Sequence, residues 1–324
     1  MDYFHIIGAI AISFIISLIL GPIIIPLLKR LKIGQSIRED GPQSHLTKSG
    51  TPTMGGLIIF VSLIITVFTS GQRILTKDVI LLTITTLGFG LIGFLDDYIK
   101  IVKHRNLGLR AYQKFLAQVF LAVVLAVYQS KTSAFETRVL VPFLQDQYLD
   151  LGVLYIPFIV FVVVGTVNSV NLTDGLDGLA SGISIIVLAF FSIVAMSWGM
   201  ESLPIAVFSS ALAGACLGFL IYNAHPAKVF MGDTGSLGLG GAIAAIAILM
   251  KLPLILPIVG GIFFVETLSV IIQVVSFKLT GKRVFLMSPL HHHFEHKGWK
   301  ETKVVGVFWF ITVILCIIGI LSLI

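Results

Sequence analysis

The chain has 324 residues, of which 56% are hydrophobic and only 12% are charged, whereas soluble proteins carry about 25% charged residues. A soluble domain of this length could not bury so many apolar side chains, so the composition excludes that class and indicates a membrane protein. The net charge of +6 does not indicate nucleic-acid binding, because the basic residues cluster in short loops between apolar runs.

Apolar runs long enough to cross a bilayer, about 20 residues each, recur along the whole sequence. They predict an all-α, polytopic membrane helical bundle of about ten transmembrane helices, at roughly 4–28, 55–71, 79–96, 113–130, 152–169, 177–197, 203–222, 237–250, 253–279 and 304–323. The ninth run contains Pro257, Gly260, Gly261 and Glu266, which predicts an interrupted helix. Interrupted membrane helices usually line a cavity.

Most of the 22 lysine and arginine residues lie in or beside alternate loops. By the positive-inside rule these loops are cytoplasmic, and both termini are then extracytoplasmic. No linker divides the sequence, so we expect one integral membrane domain over 1–324. Its active site is expected in the same cytoplasmic loops, at 29–54, 96–114, 168–178, 223–236 and 280–303.

Five aspartates lie at the predicted cytoplasmic ends of helices. Asp96 and Asp97 end the third run, Asp174 and Asp177 begin the sixth, and Asp233 begins the eighth. All five could be solvated helix ends or caps. However, acids at a helix C-terminus oppose the macrodipole, and a bound cation would relieve the repulsion between them. Asp174 and Asp177 are three residues apart, so a helix would place both on one face.

Asp233 has neighbours that favour a phosphate. Gly232, Thr234, Gly235 and Ser236 supply amides and hydroxyls at a helix start, where anions bind. An aspartate beside a phosphate implies a metal between them, and Mg²⁺ fits best because it combines one or two carboxylates with substrate phosphates.

Three consecutive histidines follow in the last cytoplasmic loop, in SPLHHHFEHKGW. Zinc is a poor interpretation because no cysteine accompanies them, whereas histidines also bind phosphates and pair with carboxylates. Together with the acids, lysines and glycine-rich helix starts, they suit phosphoryl transfer between a soluble diphosphate and a lipid phosphate.

The motifs GTPTMGG, GFLDDY, NSVNLTDGLDGL, FMGDTGS and MSPLHHHFE resemble those of the phospho-N-acetylmuramoyl-pentapeptide transferases (MraY type). These enzymes belong to the polyprenyl-phosphate N-acetylhexosamine-1-phosphate transferase superfamily. DDY, NLTDGLDG and GDTGS are typical of the superfamily, while PLHHHFE and GTPTMGG are more specific to this branch. The motifs occur in order between about residues 35 and 300.

The resemblance implies transfer of phospho-MurNAc-pentapeptide from UDP-MurNAc-pentapeptide to undecaprenyl phosphate, which yields lipid I and UMP. It implies Mg²⁺ as cofactor, the cytoplasmic face of the bacterial inner membrane as location, peptidoglycan synthesis as pathway, and a homodimer. Catalytic roles are implied for Asp96, Asp97, Asp233, His291, His292 and His293, with Asp233 also the metal ligand. Substrate contacts are implied for Lys48, Thr53, Lys100, Lys114, Asn171, Asp174, Gly175, Asp177, Asn223, Phe230 and Gln273.

Two mechanisms and two other functions stay open at this point. The lipid phosphate, deprotonated by Asp96 or Asp97, could attack the donor directly, or an aspartate could first form a covalent adduct; direct attack is the simpler. A GlcNAc-1-phosphate transferase of the same superfamily is one alternative, and the histidine motif argues against it. A secondary transporter is the other, suggested by the intramembrane Glu266.

Overall fold

Long apolar helices make up most of the chain. The computed structural model describes residues 2–31, 50–103, 108–132, 137–144 and 147–324. The α-helices of this described part are α1 (Asp2–Arg30), α2 (Gly56–Thr69), α3 (Lys77–Val102), α4 (Ala111–Thr132), α5 (Tyr155–Thr173), α6 (Leu179–Ser197), α7 (Leu203–Asn223), α8 (Gly232–Leu249), α9 (Leu256–Val259), α10 (Gly261–Thr280), α11 (Leu290–His296) and α12 (Glu301–Leu321).

The predicted all-α membrane architecture is confirmed. Within the described ranges, nine helices are long and apolar enough to cross a membrane, and α2 is a shorter apolar helix. Together they account for the ten predicted runs. The strands in this part are β1 (Arg138–Leu140) and β2 (Tyr148–Asp150), which form a small antiparallel hairpin between α4 and α5. The sidedness of the bundle stays a prediction.

The predicted interruption of the ninth run is also confirmed. A 3₁₀ turn at Pro253–Ile255 leads into the short helix α9, and Gly260 separates α9 from α10. Proline lacks the amide hydrogen that a continuing helix needs, and glycine weakens helix propagation. The break therefore follows from the local sequence.

Helix α8 is at the centre of the bundle and is buried along nearly its whole length. Its glycines face neighbouring helices at very short range. A Cβ on Gly238 would overlap the ring of Phe60 in α2, one on Gly241 would overlap Phe89 in α3, and one on Gly240 would meet the α5 backbone. Small residues of this kind let membrane helices pack closely, so α8 fixes the relative positions of α2, α3 and α5.

Three predicted boundaries are wrong, and each error affects a candidate site residue. Helix α3 continues to Val102, so Asp96 and Asp97 lie within it and not at its end. Helix α8 begins at Gly232, about one turn before the predicted apolar run, and this earlier start confirms that Asp233 lies in the first turn of the helix. The segment 174–178 is a loop between α5 and α6, so Asp174 and Asp177 do not share a helix face. In addition, the predicted loop 280–303 contains helix α11.

Lys251 is a buried cation between α8 and the 3₁₀ turn. Its side chain is 7% exposed, its Nζ lies 5.4 Å from the centroid of the Tyr155 ring, and its carbonyl accepts a hydrogen bond from the Leu140 amide at 2.9 Å. Burial lowers the pKa of Lys251 to about 8 from an ordinary value of 10.5.

We expect the Lys251→Met variant to be more stable than the wild type at pH 7, with a difference that narrows at higher pH. Because the folded pKa is lowered, the unfolded chain binds more protons between pH 8 and 10.5, and wild-type stability rises with pH there by about 1.4 kcal/mol per pH unit. Thermal midpoints of both proteins in detergent between pH 7 and 10.5 measure this. Parallel pH curves would contradict it.

Candidate active site

Three carboxylates from two distant parts of the sequence converge where the C-terminal end of α3 meets the start of α8. Asp96 and Asp97 of α3 and Asp233 in the first turn of α8 offer oxygens that all lie within 4.8 Å of one another. Gly93 makes this possible, because a Cβ at that position would overlap the backbone carbonyl of Asp233. The close contact between α3 and α8 thus brings the predicted aspartates together.

Asp97 binds the N-terminus of α8. Its Oδ2 accepts hydrogen bonds from the Thr234 amide at 2.9 Å and the Thr234 hydroxyl at 2.7 Å, and its Oδ1 accepts one from the Asp233 amide at 3.3 Å. A carboxylate is favoured there, since the first amides of a helix have no intrahelical partner. Both oxygens of Asp97 are therefore engaged by protein donors.

Two lysines and an asparagine bind Asp233. Its Oδ2 lies 3.1 Å from Lys100 Nζ and 2.8 Å from Lys114 Nζ, and its Oδ1 accepts a hydrogen bond from Asn171 Nδ2 at 2.9 Å. Lys100 also reaches Asp96 at 2.6 Å. Among the described residues, three carboxylates here face two ammonium groups, so carboxylates outnumber the cations and the cluster could hold a metal ion.

Asp96 has fewer hydrogen-bond donors around its carboxylate than Asp97. Its Oδ1 accepts a hydrogen bond from the Leu109 amide at 2.8 Å, and its Oδ2 pairs with Lys100. A Cβ on Gly108 would lie 2.5 Å from Asp96 Oδ1, so a glycine allows the 108–110 segment to approach this carboxylate. Asp96 is only 3% exposed.

The loop 174–178 lies next to the carboxylate cluster. Burial raises the pKa of Asp174 well above its ordinary value, and the negative charges of Asp233, Asp97 and Asp177 raise it further. Asn223 holds the far end of this loop, since its Oδ1 accepts hydrogen bonds from the Gly178 amide at 3.2 Å and the Ser181 hydroxyl at 2.8 Å.

A second polar cluster anchors the same loop. His225 Nδ1 lies 3.2 Å from Asp177 Oδ2 and 3.3 Å from Glu301 Oε2, and the Asp177 amide donates to Glu301 Oε1 at 2.7 Å. These contacts connect the loop 174–178 to the segment after α7 and to the first turn of α12.

The segment before α2 pairs with the segment before α8. The Phe230 amide donates to the Pro52 carbonyl at 2.8 Å, and the Gly55 amide donates to the Phe230 carbonyl at 2.9 Å. Gly232 has a φ of +73°, and a Cβ there would lie 2.6 Å from Thr53 Oγ1 and 2.7 Å from Asp97 Oδ2. Thr53 is therefore beside the cluster, and the Phe230 side chain is half-buried. Lys48 lies outside the described residues.

The three histidines of α11 have different surroundings. His291 is fully buried, and its Nδ1 lies 3.0 Å from Glu266 Oε2. His292 Nδ1 lies 2.7 Å from Glu295 Oε2. His293 Nδ1 accepts a hydrogen bond from the Leu286 amide at 3.1 Å.

Gln273 contacts the segment before α11. Its Oε1 accepts hydrogen bonds from the Val284 and Phe285 amides at 3.0 and 2.9 Å, and its Nε2 donates to the Phe285 carbonyl at 2.9 Å. The structure thus brings Asp96, Asp97, Lys100, Lys114, Asn171 and Asp233 into one contact network. Gln273 of α10 and His293 of α11 both contact the segment 284–286 instead.

The sequence matches known proteins along its whole length. The family model described as glycosyl transferase family 4 matches residues 79–251, and signature 1 of the phospho-N-acetylmuramoyl-pentapeptide-transferases matches residues 48–60. Proteins with the latter name from Alkaliphilus metalliredigens and Alkaliphilus oremlandii are 61% and 62% identical, over 100% of this chain and 99% of each relative. A third, from Clostridium botulinum strain Alaska E43, is 55% identical over 98% of the chain and 96% of the relative. The chain belongs to the phospho-N-acetylmuramoyl-pentapeptide-transferase family.

Membership of the phospho-N-acetylmuramoyl-pentapeptide-transferase family confirms the resemblance drawn from the motifs. The GlcNAc-1-phosphate transferase and the transporter are not favoured.

The region 79–251 contains all five predicted aspartates, whereas the histidines of α11 follow it. The sequence pattern predicted that Thr234 and Ser236 bind a phosphate and did not indicate their protein partners: Thr234 donates to Asp97, and Ser236 accepts a hydrogen bond from Asn171 at 2.8 Å. Their position at the start of α8 was the available signal.

Proposed function

We propose that this protein transfers phospho-MurNAc-pentapeptide from UDP-MurNAc-pentapeptide to undecaprenyl phosphate. The products are lipid I and UMP, and the reaction is the first membrane step of peptidoglycan synthesis, at the cytoplasmic face of the bacterial inner membrane. The observation that carries the proposal is the network of Asp96, Asp97 and Asp233 with Lys100 and Lys114. It joins phosphate-binding cations to a carboxylate cluster in a membrane protein of this family.

An apolar groove supports a lipid acceptor. It has a volume of about 760 Å³ and lies between α4, α5 and α10. Its lining includes Phe115, Val160, Phe161 and Val164, together with Lys114. Because Lys114 Nζ also binds Asp233, a prenyl chain in this groove would bring its phosphate to the carboxylate cluster.

We expect Gly165→Phe to raise the KM for polyprenyl phosphate about tenfold and to leave the KM for the nucleotide donor unchanged. Gly165 lines the groove, and apart from its own helix no atom of the described residues lies within 4 Å of the position of its Cβ, so a phenyl ring would fill space that the acceptor needs. Gly306→Phe on α12 is the control, since its Cβ position is equally open. Equal effects of both substitutions on the two KM values would contradict the assignment.

The charges of the site fit a direct transfer. An oxygen of the lipid phosphate attacks the β-phosphorus of the donor, the bond from this phosphorus to the bridging oxygen breaks, and UMP leaves with that oxygen. Lys100 and Lys114 stabilise the negative charge of the transferring group. Asp96 accepts any proton left on the lipid phosphate, because it has fewer protein donors than Asp97, which accepts three hydrogen bonds from Asp233 and Thr234.

The donor set suits Mg²⁺. In the part of the chain that the structure describes, the three carboxylates outnumber the two lysines that contact them, and clustered carboxylate oxygens are hard ligands that this ion accepts. Asp233 would hold the ion, together with Asp96 or Asp97. When bound, Mg²⁺ would neutralise charge on the donor phosphates.

The remaining assignments concern the donor and the quaternary structure. The loop 174–178, with Asp174, Gly175 and Asp177, and the residues Thr53, Asn171, Asn223 and Phe230 are proposed to surround the nucleoside and its phosphates. Lys48 and Gln273 stay predictions as donor contacts. A homodimer also stays a prediction, which the mass of the protein in detergent or nanodiscs would check.

The test is UMP release by purified protein in detergent. Release should require UDP-MurNAc-pentapeptide, polyprenyl phosphate and Mg²⁺ together, and UDP-GlcNAc should not replace the donor. Lack of UMP release under all these conditions would overturn the proposed function. Capture of enzyme labelled with sugar phosphate in the absence of lipid would favour the two-step mechanism over direct attack.

A further inference from the structure

Glu266 is a carboxylate that the proposed reaction does not use. It lies within the membrane-spanning helix α10 and is fully buried. Its Oε1 accepts a hydrogen bond from the His291 amide at 3.1 Å, and its Oε2 lies 3.0 Å from His291 Nδ1. An ionisable group in a membrane helix is costly unless it is paired, so this pair fixes α11 onto α10.

The other side of the His291 ring meets the loop 174–178. Its Nε2 is buried and has no hydrogen-bond partner among the described residues. A Cβ on Gly175 would overlap this nitrogen. The ring therefore contacts the loop that contains Asp174. Asp174 in turn lies close enough to Asp233 and Asp97 for their charges to raise its pKa.

We propose that Glu266 and His291 form a buried positioning pair that holds the loop 174–178 against the carboxylate cluster. Glu266 faces Nδ1 and keeps a proton there, which sets one ring orientation and directs Nε2 at Gly175. His291 then acts on the reaction through the position of Asp174. This inference rests on the proposed function, because Asp174 is assigned to the donor.

Three substitutions of His291 separate this role from direct action on the reactants. Asparagine places an amide nitrogen near the position of Nδ1 and keeps the bond to Glu266, glutamine places one near Nε2, and alanine places none. Because asparagine keeps the bond to Glu266 but does not reach Gly175, we expect His291→Asn to bind UDP-MurNAc-pentapeptide about tenfold more weakly than the wild type, as His291→Ala does, while its thermal midpoint stays above that of His291→Ala. Wild-type donor affinity in the asparagine variant would overturn the proposal.

A coupling experiment tests the contact with Gly175. Gly175→Ala should weaken binding of UDP-MurNAc-pentapeptide about tenfold by calorimetry in the wild-type background. It should weaken binding less than twofold in the His291→Ala background, because the overlapping ring is gone. Equal losses in both backgrounds would overturn the proposal.

Glu266→Gln tests the other member of the pair, the carboxylate that contacts His291 Nδ1. Its amide would donate to Nδ1 and shift the ring proton to Nε2, so donor affinity should fall about tenfold while the KM for polyprenyl phosphate stays within twofold. Ser269→Ala, which removes a buried hydroxyl one turn away on α10, is the matched control. If Glu266→Gln weakened donor binding and raised the KM for polyprenyl phosphate by equal factors, the proposed role of the pair would be overturned. An inactive wild type would count against the proposed function, and calorimetry would still test the pair.

Discussion

Replacing Asp233 by alanine should lower UMP release by roughly 10³-fold or more and leave the protein folded. Asp233 is bound by Lys100, Lys114 and Asn171, and its loss would leave these donors without the carboxylate that orders them. The fold should persist because Asp96 and Asp97 would then balance the two lysines. UMP release and the thermal midpoint in detergent measure the two effects.

The control for Asp233 is Asp150→Ala, which removes an exposed aspartate from strand β2. This variant should release UMP at the wild-type rate, because the Asp150 carboxylate is exposed and accepts hydrogen bonds from Thr137 and the Gly152 amide, which belong to the hairpin region. A wild-type rate for Asp233→Ala would remove the central assignment of the site.

Gly93→Ala should lower kcat about 10²-fold, although the substitution adds one methyl group and changes no charge. Its Cβ would overlap the Asp233 carbonyl, so α3 and α8 must separate, and a displacement of about 1 Å in a catalytic group can cost 10²-fold. The bonds from Thr234 to Asp97 should lengthen as well, so the thermal midpoint should also fall.

Gly88→Ala on the same helix is the matched control for Gly93. Its Cβ would lie 3.0 Å from a terminal carbon of the Leu121 side chain, and a flexible side chain can move where a backbone carbonyl cannot. We expect nearly wild-type UMP release from it. Similar losses in the two alanine variants would show that the α3–α8 contact does not set the rate.

Hydropathy predicted the helices well and their ends poorly, for a physical reason visible at Asp96. The apolar run stops where the aspartates begin, so the predicted helix stopped there. The real helix continues to Val102 because Lys100, Thr234 and the Leu109 amide satisfy the two carboxylates. These partners are distant in sequence, apart from Lys100, and a local pattern does not contain them.

Glu266 and His291 illustrate the same limit. The sequence marked both residues as unusual, one as an acid in an apolar run and the other as part of a histidine run. No local pattern predicted their contact, because they are 25 residues apart. The end of α10 at Gly281 and the segment before α11 determine how the two side chains meet. The separate surroundings of the three histidines likewise arise from helix α11, which their composition did not predict.

The groove between α4, α5 and α10 has exposed aromatic side chains along its edge, with Phe161 76% exposed. In a bilayer its entrance would therefore face the acyl chains, and a prenyl substrate would arrive by lateral diffusion. Turnover should then follow the mole fraction of acceptor in the bilayer or micelle and not its bulk molarity. Adding inert detergent at constant substrate should slow the enzyme by surface dilution, while the nucleotide donor, which arrives from water, should be insensitive to it.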